Sequence, residues 1–88
     1  MAWTIEIAPE AERQLAKLDR QVARRIVRFM HERVAPLADP RSIGIALQGQ
    51  KHAIWRYRVG DYRVLAQIFP DRIIVRVVKV GHRRDIYK

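Results

Sequence analysis

The chain has 88 residues, 49% of them hydrophobic, enough for a single domain spanning residues 1–88 with one core. It has no cysteine, which excludes disulfides and thiolate metal sites, and no apolar run approaches the roughly 20 residues of a membrane span. Of the net charge of +9, +7 falls in residues 51–88 and +2 in residues 1–50. A field gathered in one half predicts a polyanionic partner, either nucleic acid, an acidic protein or an anionic surface. The N-terminus MAWTIEIAPE has acids where a secretory leader has basic residues. Together with the missing cysteines this places the expected location in the cytoplasm.

Residues 3–7 (WTIEI) alternate and predict a first strand. Pro9 and Glu10 open a helix that runs to about Leu18, with Ala11, Leu15 and Leu18 on its apolar side. Asp19 is the expected N-cap of a second helix whose stripe is Val22, Ile26, Phe29 and Met30. Arg20, Arg24 and Arg28 recur on another face, which reads as a solvated helix surface. His31, on the same helix, is expected to be structural. Pro36 and Pro40 end the helix, and Leu37–His52 has little periodicity. Strands are expected at about 54–59, 62–69 and 72–80. The order β-α-α-β-β-β predicts an α+β domain, an antiparallel meander with two N-terminal helices on one face.

The segment WRYRVGDYRV (Trp55–Val64) predicts a hairpin with Gly60-Asp61 at the turn. In that register Arg58 faces Arg63, and alternation puts Arg56, Arg58 and Arg63 on one side. Trp55, Tyr57, Val59, Tyr62, Val64, Ala66 and Ile68 take the other. A two-residue turn near Pro70–Arg72 carries Arg72 and Arg76 to the basic side, with Ile73, Val75 and Val77 opposite. One face is then a core for the helices, and the other an open cationic surface. Like charges directly opposite one another destabilise a sheet by tenths of a kcal/mol. Their clustering therefore points to a phosphate site. The tail VGHRRDIYK adds His82, Arg83, Arg84 and Tyr87 near the hairpin end, if it folds back. Guanidinium forks suit phosphate oxygens, and a tyrosine offers a stacking surface and a phenol oxygen.

WRYRVGDYRV followed by VRVVKVGHRRDIY resembles the RelE toxin family of the wider RelE/ParE superfamily, and the APEAERQLAKL helix is similar too. The resemblance implies a toxin of a toxin–antitoxin pair with a RelE-like microbial RNase fold. It implies a ribosome-dependent mRNA endoribonuclease that cuts in the decoding site by 2′-hydroxyl attack, with no metal and no cofactor. It implies Arg63, Arg83 and Tyr87 as the catalytic set and Arg56 and Arg58 as ligands of the scissile phosphate; position on the basic face and in the tail adds Arg76, His82 and Arg84 as expected RNA contacts. Arginines can stabilise a phosphorane electrostatically. They are poor acids and bases, so proton transfer falls to Tyr87, helped by His82 or His52. The implied partners are a RelB-like antitoxin in a hetero-oligomer, the ribosome and mRNA, with no membrane.

Two departures from the family stand out. Gln48 replaces a basic residue in Leu47-Gln48-Gly49, and the chain stops one residue after Tyr87, without the C-terminal helix of some relatives. Two alternatives remain open: a ParE-like toxin of the same fold acting on DNA gyrase, and an RNA-binding module that does not cut.

Overall fold

In the computed structural model, which describes residues 2–47 and 54–86, the chain forms two helices on one face of a five-stranded mixed sheet. In chain order the elements are β1 (Thr4–Ile7), α1 (Pro9–Lys17), α2 (Arg20–Phe29), β2 (Ile45–Leu47), β3 (Ile54–Val59), β4 (Tyr62–Phe69) and β5 (Ile74–His82). The strand order is β1-β5-β4-β3-β2. Strands β2 to β5 form the expected antiparallel meander, while β1 pairs parallel with β5.

Proline at the first turn and Glu10 and Glu12 behind it start α1. Asp19 caps α2, its side chain accepting from the Gln21 N–H at 3.0 Å. After Phe29 the helix widens into a π turn over Met30–Val34, which keeps Met30 and Val34 buried. Ala11, Leu15, Ile26 and Met30 meet Tyr57, Val59, Val64, Ala66, Val75, Val77 and Val80 in the core. Burial on this scale supplies the main stabilisation, about 25 cal/mol for each Å² of apolar surface covered.

Tyr57 is fully buried, and its hydroxyl donates to the Pro40 carbonyl at 2.7 Å. That bond ties the hairpin to the turn after α2. Asp39 caps the turn, accepting from the Arg41 N–H at 3.0 Å. The Arg41 guanidinium holds the Asp39 carboxyl below its ordinary range.

The structure corrects the expected outline in three places. Strand β2 was not expected. Its alternating Ile43, Ile45 and Leu47 are a sequence sign of it, but three residues are too short for periodicity alone to decide. The turn before β5 spans residues 70–73, so Arg72 and Ile73 lie outside the strand, which ends at His82. Ile73 takes a left-handed φ of 56°, an unfavourable conformation for a β-branched residue, and its carbonyl accepts the first β1 bond from Thr4 N–H at 2.9 Å. Finally, a bulge leaves Val78 unmatched between the pairs Ala66–Val77 and Leu65–Lys79. It reverses the alternation of β5. Val75, Val77 and Val80 therefore all face the core, and Lys79 and Gly81 face away from it.

Candidate functional site

The register arranges the uncovered face in rows counted from the hairpin tip. The first row holds Arg58, Arg63 and Gly81, each directly opposite the next. The second holds Ile45, Arg56, Leu65 and Lys79. The third holds Leu47, Ile54, Gln67, Arg76 and Glu6. Side chains directly opposite share a face, and successive rows lie roughly 7 Å apart along the strands. The first two rows thus carry four cations and no carboxylate.

Gly60 opens the hairpin turn at φ 60°, with Asp61 at negative φ, the backbone that a glycine-led two-residue turn requires. Arg63 is 8% exposed, and its Nη1 donates to the carbonyls of Gly60 at 3.0 Å and Tyr62 at 2.9 Å. Its guanidinium is part of the hairpin's own frame. Arg58, directly across, is exposed and forms no ion pair among the described residues. Arg56 is half-buried beside Leu65 and Ile45.

The tail after β5 does return to the hairpin end. The Arg83 N–H donates to the Asp61 carbonyl at 2.8 Å, and its Nε lies 3.8 Å from Asp61 Oδ1 in an exposed pair. Asp85 and Ile86 N–H groups bond the His82 carbonyl, closing a turn. Ile86 is 2% exposed and packs on Gly81, the residue paired with Arg63. A methyl on Gly81 would lie 3.3 Å from Ile86 Cδ1, so the close approach uses the missing side chain. Tyr87, along with Gln48 and His52, lies outside the described residues.

Three candidates are not part of this cluster. Arg76 is on the expected face, but two rows from Arg63, and its Nη1 meets Glu6 at 3.4 Å. His82 lies on the helix-covered side with Val80, because the bulge at Val78 reverses parity before it. There it meets the Tyr62 ring edge-on at 5.4 Å, and its Nδ1 accepts the Arg84 N–H at 3.2 Å. Histidine here holds the tail turn. The Arg84 side chain is exposed beyond it.

The uncovered face is not wholly cationic, as the sequence had suggested. Leu47, Ile54, Leu65, Val78 and Ile86, with Lys79 and Glu10, line a cavity of about 510 Å³ over the second and third rows. Alternation alone places Leu65 here but does not distinguish an apolar floor from a solvated one. Only the arrival of Ile86 and β2 encloses it.

A family model described as the ParE toxin of the type II toxin–antitoxin system parDE matches residues 5–87. Toxin RelG of Mycobacterium tuberculosis is 28% identical over 88 residues, covering 100% of this chain and 99% of that protein. The fold superposes on a chain of the toxin–antitoxin complex RelBE2 from Mycobacterium tuberculosis with a TM-score of 0.85 and 26% identity, covering 97% of this chain and 95% of that one. A chain of the archaeal RelE–RelB complex from Pyrococcus horikoshii, at 23% identity and a TM-score of 0.70, shares the fold over 97% of this chain and 99% of its own. With its paired helices, mixed sheet and arginine-bearing hairpin, the chain belongs to the RelE/ParE family of type II toxin–antitoxin toxins and is a RelE-like member of it.

Proposed function

We propose that this toxin is a metal-independent endoribonuclease that cuts translated mRNA in the ribosomal A site and so halts translation. The observation that carries this reading is the pair of rows at the hairpin end, where Arg58, Arg63, Arg56 and Lys79 share a face and the paired strand positions of those two rows hold no carboxylate. Arg58 is the first phosphate ligand, since it is exposed and forms no ion pair among the described residues. Arg83 reaches the same end on the returning tail, and its exposed pair with Asp61 is weak enough to open for a phosphate. Arg63 fixes the turn and adds its positive field from below, and Arg56 orients the linkage. Such preorganised charge is worth about 3–4 kcal/mol per well-aimed donor in other enzymes.

The apolar floor around Leu65 suits a base attached to the bound phosphate. Tyr87, the residue after Ile86 in the chain, is the candidate base for the 2′-hydroxyl, a task that calls for a phenol more acidic than usual. Arginines give little proton transfer, so alignment of the RNA by the ribosome supplies much of the rate, and ribosome dependence follows. A RelB-like antitoxin is the expected neutralising partner, because toxin chains of this fold occur in RelE–RelB complexes. It would act by covering the hairpin end.

Mapping RNA ends in cells after brief expression tests the reading. Cuts within translated codons are the expected result. The parDE description of the family model favours a second reading, inhibition of DNA gyrase. DNA damage without RNA cuts would establish that one and overturn the first.

A further inference from the structure

Helix α2 carries Arg20, Arg24, Arg25 and Arg28, all exposed, and no acid. A face kept only for solubility gains from alternating signs. This one stacks like charges at four-residue steps, where they repel, and puts Arg20 at the positive end of the helix dipole. Among the described residues none of the four forms an ion pair. The helix therefore holds an arrangement that its own stability does not favour, as sites for a ligand do.

Packing then joins this row to the hairpin. A methyl on Gly60 would lie 3.0 Å from Arg25 Nη1, so the Arg25 guanidinium rests against the turn that leads to Arg58 and Arg63. Between the arginine stems, Ala23 and Val27 floor a shallow groove of about 410 Å³. Arg25 thus brings the α2 row up to the hairpin turn, on the far side of which Asp61 pairs with Arg83.

We infer that the α2 arginines form a second phosphate track, which grips the backbone of structured RNA beside the strand that is cut. The inference rests on the ribonuclease reading above. Planar guanidinium forks match phosphate oxygens. Three of them spaced by about 6 Å of helix rise present a repeating charge to a repeating phosphate chain. Uniform sign over the whole row favours RNA over an acidic peptide, which needs apolar anchors deeper than Ala23 and Val27 provide.

The test uses the intact protein and a short RNA duplex with no strand to cut, with binding followed against salt. Each of Arg20→Ala, Arg24→Ala and Arg28→Ala should lower the salt slope by about 0.7 to 0.9, and the triple variant should lower affinity at least about tenfold. Arg58→Ala is run in parallel on duplex and on translated mRNA. If duplex binding falls in the triple variant while Arg58→Ala leaves mRNA cutting untouched, the track stands and the assigned cut site fails. If the triple variant keeps the wild-type slope, the track is refuted, and weakened binding of the same variant to poly-glutamate would then assign the face to a protein partner.

Discussion

The two ends of the uncovered sheet face share strands and side-chain parity, yet a neighbouring strand sets a carboxylate against the cations of one end and not of the other. Near the β1 edge, Arg76 meets Glu6 across paired strands, and Arg72 lies 4.9 Å over the Phe69 ring with Asp71 at 3.9 Å. Each cation there has a local counterpart. At the hairpin end Arg58 and Arg63 stand opposite one another, and no paired strand position beside them holds a carboxylate; Asp61 and Asp85 sit on turns. Parity alone makes a face cationic. Which end can hold a phosphate depends on where the acids of other strands fall, and β1 brings Glu6 to only one end.

The contrast can be broken most sharply at Arg58. Arg58→Ala should lower cleavage of translated mRNA about 10²–10³-fold while stability moves by less than about 0.5 kcal/mol. Equal cleavage by the variant and the wild type would remove the hairpin end as the site. Ile86→Ala tests the anchoring of the tail. Losing this buried side chain should destabilise the fold by about 2–4 kcal/mol in denaturant titrations, and cleavage should fall even where the variant remains folded.

Tyr57 sharpens the comparison from the core side. Burial, followed by the Asp39 charge, raises its pKa to about 12. A phenol whose folded pKa exceeds its unfolded value of about 10 supports the fold fully below pH 10 and loses that support as pH rises toward 12. The wild type should lose roughly 2–3 kcal/mol over that window. Tyr57→Phe should be less stable at neutral pH, because the Pro40 carbonyl loses its donor, and should lack this alkaline component. Parallel alkaline curves for both proteins would refute it.

Gly60→Ala forces a side chain into left-handed backbone and against Arg25, and should cost about 1 kcal/mol in thermal unfolding. The smallest effect belongs to the paired end. Arg76→Ala should change stability by less than about 0.5 kcal/mol and leave cleavage within twofold or so, provided that the phosphate binds at the hairpin end. A large loss of cutting would move the site across the sheet.

The hairpin, its register and the side to which its arginines point were all legible in WRYRVGDYRV, because a two-residue turn and strict alternation leave little freedom. Both helices were legible too, since Asp19 and the periodic apolar stripes are local signals. The role of His82 was not. Its side depends on a bulge that only the pairing of β4 with β5 reveals, although the doublet Val77-Val78 before Lys79 hints that alternation breaks there. Arg76 was placed on the right face but not neutralised, because Glu6 lies 70 residues away in the chain.

Local rules in the sequence determined the elements, the basic half and the cationic side of the hairpin, because turn chemistry and side-chain period act over a few residues. Tertiary structure decided which cations meet an acid of a distant strand, which arginine is buried in the hairpin frame, and how α2 joins the hairpin tip. Those outcomes depend on contacts between segments far apart in the chain, and charge and packing are settled by distance in space.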